Sequence, residues 1–176
     1  MPQDTAYIAP ASRRVGGLAL ITDEANRVLL VRPTYNMKDD GTREDRFYQL
    51  PGGSAQRGET DWDACQREVW EETGLSITPG ALLVKDYMPV TPTAAEGYNF
   101  VYDCGKLTAR QIAEIRLPEA APGEQPELDA FILLAPEDLA HHTEPYQQRR
   151  IEAAMAARIA RITANLYAGT PIRSAA

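Results

Sequence analysis

The segment that most constrains this chain is GGSAQRGETDWDACQREVWEETGL, from Gly52 to Leu75. A glycine pair makes a tight turn, and no proline or glycine then interrupts the chain from Thr60 to Thr73. Thr60, with acidic Asp61 and Asp63 in the first turn, supplies a helix start, and Gly74 supplies the stop. At about 100° per residue, Glu71 lies roughly 60° to one side of Glu68 and Glu72 roughly 40° to the other, so three carboxylates share one helical face. Ala64 leaves space on that face, while Trp62, Cys65 and Val69 form a neighbouring apolar stripe able to anchor the helix on a sheet. Three converging carboxylates repel one another, which raises their pKa values and costs stability unless cations occupy the site. An oxygen-only cluster suits hard Mg²⁺ or Mn²⁺.

Around this segment the chain reads as strands and helices of ordinary length. Val15 to Thr22 and Arg27 to Arg32 are predicted strands joined by a turn at Glu24 to Asn26, a hairpin whose two strands should both be central. Ala81 to Met88, Tyr98 to Cys104 and Leu128 to Leu134 read as further strands, with a short helix at Ala109 to Ile115 and a loop rich in proline and acid from Pro118 to Pro126. Ile151, Met155, Ile159, Ile162 and Leu166 follow spacings of 4, 4, 3 and 4, which predicts a C-terminal helix with one apolar stripe, ending at Gly169. There is no internal repeat. With 176 residues the chain has room for one domain, divided here as a flexible lead-in over 1–13, the domain over 14–168 and a tail over 169–176. The net charge of −7 disfavours bulk binding to nucleic acid or to an anionic membrane. The longest apolar runs, Leu18 to Ile21 and Phe131 to Ala135, fall far short of the roughly 20 residues that span a bilayer. Two cysteines, Cys65 and Cys104, are too few for a disulfide framework and read as small hydrophobes. No charged, then apolar, leader opens the sequence, so a cytoplasmic location is expected.

The central segment resembles the Nudix box: a glycine, five residues, a glutamate, seven residues, then R-E-U-x-E-E-x-G-U with U bulky and aliphatic. Gly53, Glu59, Arg67, Glu68, Val69, Glu71, Glu72, Gly74 and Leu75 fill its positions. The resemblance implies an α/β/α sandwich with a mixed β-sheet between the box helix and the C-terminal helix, and the order of strands and helices above agrees. It also implies hydrolysis of a diphosphate linkage in a nucleoside diphosphate joined to another moiety. Carried over by position, Glu68, Glu71 and Glu72 are the expected metal ligands, with the Gly52 carbonyl as an additional one, and Glu59 and Arg67 pair to orient the ligand helix. Metals bridging the two phosphates would neutralise charge in the transition state and lower the pKa of a bound water. The general base is then Glu68 or Glu72 within the box, with Glu124 and Glu127, before the strand at Leu128, as the alternatives. The box is favoured.

Selectivity must come from elsewhere. The polar stretch from Pro33 to Arg46 is too long for a plain connector and is expected to overhang the pocket, with Tyr35, Arg43, Arg46 and Tyr48 as its armed residues. The bland alternative is an insertion without contacts. Arg32, Arg46, Arg57 and Lys85 could offer charge to phosphates, and Tyr35, Phe47, Tyr48 and Tyr98 could stack on a base, though core packing explains many such aromatics. His141 and His142 point apart and read as a surface pair. The C-terminal helix carries Arg149, Arg150, Arg158 and Arg161 against Glu152, and its stripe should pack on the sheet, with a homodimer contact as the lesser option. The expected activity is a Mg²⁺-dependent (or Mn²⁺-dependent) Nudix hydrolase of a small nucleoside diphosphate derivative or nucleoside triphosphate, releasing a monophosphate-containing product. Substrate markers are not met: Pro89 follows Gly74 by fifteen residues where ADP-ribose-cleaving relatives place a proline at sixteen, and Pro92 stands where diadenosine-polyphosphate relatives carry a tyrosine. Other classes are a catalytically weak nucleotide sensor, disfavoured by the intact glutamates, and a diphosphate isomerase, for which spacing nominates neither cysteine as the proton source.

Overall fold

The computed structural model describes residues 12–35, 48–92 and 94–172. Arg43, Arg46 and Phe47, with most of the Pro33 to Arg46 stretch and of the lead-in, lie outside the described residues.

β1 (Arg14–Asp23) turns into β2 (Val28–Pro33). Asn26 takes a left-handed φ of 60°, and the Asp23 carboxylate accepts from the backbone N–H and the Nε of Arg27. The other strands are β3 (Gly52–Ser54), β4 (Leu82–Met88), β5 (Gly97–Leu107), β6 (Leu128–Leu134), β7 (Ala164–Tyr167) and β8 (Thr170–Pro171). The sheet order is β6-β2-β1-β5-β4-β7-β8, with β3 paired to β1 beside β2. β1 runs parallel to β5 and β4 parallel to β7, and the remaining pairs are antiparallel. The hairpin strands are therefore interior and covered on both faces, which is why they read as continuous apolar runs.

Strand alternation divides the core into two layers. Leu18, Leu20, Val28 and Leu30 face one side and pack with Ile151, Ala154 and Ala157. Ala19, Ile21 and Leu29 face the other and pack with Cys65 and Val69. The second layer is covered by α1 (Asp61–Thr73), whose start and stop are those expected. Thr60 and Asp63 form a reciprocal cap, and Gly74 turns left-handed at φ 70°. Gly17 lets this helix sit on β1, because a Cβ there would collide with the Asp61 carbonyl. Cys65 Sγ and Cys104 Sγ pack 4.0 Å apart as free thiols. A short α2 (Ala109–Ala113) follows β5.

The first layer is covered by α4 (Pro145–Ala160), reached through a 3₁₀ turn (Pro136–Asp138) and α3 (Leu139–His142). Here the sequence expectation is corrected. The helix stops at Ala160, with Arg161 at a left-handed φ of 55°. Ile159 is 84% exposed and Ile162 59% exposed, while Leu166 belongs to β7. The face that packs is Gln147, Arg150, Ile151, Ala154 and Ala157, so of the expected stripe Ile151 is buried and Met155 packs against the core, while the packing face turns away from the line that runs on to Ile159. Arg150 can lie in that face because the fully buried Asp86 of β4 meets it at 2.8 Å. Gly169 then turns β7 into β8 and donates its N–H to Asp86. His141 is exposed, whereas His142 is half-buried, edge-on to Tyr48.

Candidate active site

The site is built where β3 meets α1. Gly52 has a φ of 127°, and a Cβ on it would collide with the Gly17 carbonyl, so only glycine brings this strand so close to β1. That closeness aims the Gly52 N–H at α1, where it donates to Glu72 Oε2 at 2.7 Å. The Glu72 side chain is buried at 6% exposure. Burial pushes its carboxyl up to about 8, against the pull of the Gly52 N–H and reinforced by the charges of Glu68, Glu127 and Glu71. Glu68 is half-buried and is also raised, first by burial, with Arg67 opposing.

Arg67 ties the turn to the helix. Its Nε and Nη2 grip Glu59 at 2.8 and 2.9 Å, its Nη1 donates to Glu68 at 2.9 Å and to Glu71 at 2.8 Å, and its Nη2 also reaches the Ser54 carbonyl at 3.1 Å. The two-pronged pair and the Gln56 N–H hold the Glu59 carboxyl down at about 2, and the surrounding carboxylates raise the Arg67 guanidinium above its usual value. The expected convergence is therefore modified. Glu68 and Glu71 lean towards Arg67, Glu72 towards Gly52, and among the described residues no three acidic, histidine or cysteine side chains enclose one point. The donor set still fits a hard divalent cation: carboxylate oxygens, one of them on a buried acid that a cation would ionise, beside the backbone of Gly52.

Gly53 sits against Glu68, and a Cβ there would fall 2.5 Å from the Glu68 carboxyl carbon. Gly53→Ala should therefore displace Glu68 and lower kcat/KM by roughly 10- to 100-fold, the range seen when a group orienting a metal ligand is lost. Circular dichroism should stay native; unchanged turnover would show that Glu68 needs no fixed position.

Behind Gly52 and Gly53 opens a cavity of about 680 Å³ lined by residues including Arg14, Leu18, Tyr35, Asn99, Met88, Gln147 and Arg150. Tyr35 lines it, 66% exposed. Arg32 and Tyr48 are not among its lining residues: Arg32 pairs with Asp129 at 2.8 Å, and its guanidinium lies 5.4 Å from the Tyr48 ring. Arg57 is exposed in the turn before α1. Lys85 and Tyr98 meet each other in a separate groove of about 590 Å³. Of the two alternative bases, both exposed, Glu127 bears electrostatically on Glu68 and Glu72, and its backbone is held to Thr34. Arg14, Asn99, Asp86, Gln147 and Arg150 were missed from the sequence. One signal was readable: Asp86 and Asn99 are polar residues inside apolar strands, where an unpaired polar group is costly.

Comparison with known proteins agrees with this architecture. No curated protein gives a match. Among solved structures, the MutT protein from Methanosarcina mazei Go1 is similar at 22% identity and a TM-score of 0.62, covering 86% of this chain and 97% of that one. A UDP-X diphosphatase is similar at 18% identity and a TM-score of 0.64, covering 92% and 72%. An ADP-ribose pyrophosphatase from Streptococcus suis 89-1591 is similar at 18% and 0.54, covering 89% and 99%. At these identities the likeness shows a shared fold. The family model for the NUDIX domain matches residues 12–155, most of the chain and all of the site just described, and the chain thus belongs to the NUDIX domain family, the pyrophosphohydrolases whose box it carries in full.

Proposed function

We propose that this chain hydrolyses the diphosphate linkage of a nucleoside diphosphate derivative with Mg²⁺ or Mn²⁺, releasing a monophosphate-containing product. The observation that carries the reading is Glu72, a buried carboxyl raised to about 8 beside the half-buried Glu68, behind the glycine wall of a cavity of about 680 Å³. Glu68, Glu71, Glu72 and the Gly52 carbonyl would hold the cation, which neutralises phosphate charge and acidifies a water. Arg67 and Glu59 keep α1 and its glutamates in register with β3. Glu68 or Glu72 takes the proton, both lying on the face of α1 that meets Gly52 and Gly53. Tyr35 contributes a ring at the cavity for stacking, Arg32 and Tyr48 are left to substrate groups that extend past it, and Arg46 is a further candidate for substrate charge. The free cysteines and the acidic net charge support a cytoplasmic protein acting on small molecules. No helix among the described residues is long and apolar enough to cross a membrane.

The test is turnover of a panel that begins with UDP-linked compounds and ADP-ribose, the substrates in the names of two fold neighbours, and includes nucleoside triphosphates. Metal-dependent release of monophosphate, stopped by EDTA, is expected. Tight binding without turnover across the panel would make the chain a sensor instead. The base has its own test. Glu124→Gln should leave kcat within twofold, and Glu127→Gln should lower it by less than 10-fold through lost field alone. A fall of about 10² to 10⁴ in either variant, with metal affinity intact, would move the base out of the box.

A further inference from the structure

The cavity holds a cation with no carboxylate partner among the described residues. Among the described residues its lining includes two arginines and no acidic residue. Arg150 is matched from behind by Asp86 at 2.8 Å, and the neighbouring Arg67, Arg32 and Arg13 are matched by Glu59, Asp129 and Glu96. Arg14 is different. It pairs with no carboxylate among the described residues and instead donates from Nη1 to Asn99 Oδ1 at 3.1 Å. The arrangement is built into the sheet. β1 and β5 run parallel with Gly16 opposite Asn99, and a Cβ on Gly16 would fall 2.6 Å from Asn99 Oδ1. The bare glycine thus lets the amide of Asn99, itself only 6% exposed, lie across β1 and hold the guanidinium two residues away. Among the described residues one of the five guanidinium N–H groups is used, which leaves the rest of the fork to an anion.

This placement answers an electrostatic problem left by the proposed function, on which the inference rests. A diphosphate brought to Glu68, Glu71, Glu72 and Glu127 is neutralised by cations only on the side facing those carboxylates. On the cavity side, Arg14 is the lining cation among the described residues that no carboxylate already neutralises. We propose that Arg14 binds the phosphate oxygens that face the cavity, and that Asn99 is its positioning residue, so that diphosphate recognition is divided between the metal cluster and the Arg14–Asn99 pair. Ligands of this site are phosphoryl groups with free non-bridging oxygens, whatever base or sugar they carry.

Methylenediphosphonate, which has the two phosphoryl groups, no base and no cleavable bridge, is the probe, titrated calorimetrically in the presence of Mg²⁺. Arg14→Ala should weaken its binding about 10- to 100-fold, the loss expected for a hydrogen-bonded charge pair, while Mn²⁺ affinity and thermal unfolding stay as in the parent. Arg14→Lys should recover part of the loss, since a point charge replaces the fork. Asn99→Asp separates recognition from scaffolding: it keeps the acceptor for Arg14 but neutralises its charge, so probe affinity should fall nearly as far as in Arg14→Ala. On the substrate with the highest turnover, Arg14→Ala and Asn99→Asp should each raise KM more than they lower kcat. Probe affinity within twofold of the parent in Arg14→Ala or in Asn99→Asp, with the fold intact, overturns the assignment. Because the probe is not hydrolysed, absent turnover in the parent would count against the proposed function and leave the Arg14 result readable.

Discussion

Glu72→Gln should make the metal-free protein more stable at alkaline pH while abolishing its response to divalent metal. Burial is the largest of the causes that lift the Glu72 carboxyl from an ordinary 4.5 to about 8. The folded state then holds a proton that the unfolded chain releases from about pH 4.5 upward. Between those values stability falls as pH rises: the contribution of neutral Glu72 is fully present below 4.5 and lost as pH passes 8. A shift of this size corresponds to roughly 2–4 kcal/mol after allowance for relaxation around the charge. Glutamine keeps an acceptor for the Gly52 N–H but has nothing to ionise. In EDTA the variant should unfold roughly 5–15 °C above the parent at pH 9 and close to it at pH 5. Mg²⁺ should reverse the order, since it ionises and fills the site of the parent, contributing about 2.7 kcal/mol at a hundredfold excess over its Kd, and finds a depleted site in the variant. Turnover should drop by at least about 10². Parallel pH profiles for the two proteins in EDTA would refute the buried-acid account of Glu72.

The box was legible because everything that makes it is local. Thr60 and Gly74 end the helix by caps that need only near neighbours, and the Glu59–Arg67 pair and the Glu68–Glu72 face follow from spacing along one turn and one helix. What escaped was long-range. Leu166 continues the apolar spacing of the last helix, yet nothing within that helix says that Arg161 will end it, or that Arg150 will turn inward. The inward face is decided by Asp86, 64 residues earlier in the chain. The pairing of Arg32 was hidden for the same reason, because its partner Asp129 is 97 residues away. In the sequence Arg14 is only the first residue of the domain, one position before the predicted strand at Val15. Only the pairing of β1 with β5 shows that it shares a face with the cavity.

The second large effect concerns that inward face. Asp86 accepts from Arg150 Nε at 2.8 Å and from the Gly169 N–H at 3.1 Å, while Arg150 also donates to Gln147 at 3.1 Å and lies 5.3 Å from the Tyr146 ring. One carboxylate thereby joins β4, α4 and the turn between β7 and β8. Asp86→Ala leaves a guanidinium that is 1% exposed without its counter-charge, and losing one partner of a buried pair costs about 3–5 kcal/mol. The melting temperature should fall by roughly 6–20 °C. Removing both charges is different, because the cost of the single variant is mainly the stranded charge and not the lost attraction. Asp86→Leu with Arg150→Met should therefore recover at least half of the lost stability, although the Gly169 N–H stays unpaired and the recovery stops short of complete. A double-mutant cycle by urea unfolding measures this coupling directly. If the double variant is no more stable than Asp86→Ala, the charge is incidental and hydrophobic packing of Ile151, Ala154 and Ala157 alone holds α4 on the sheet.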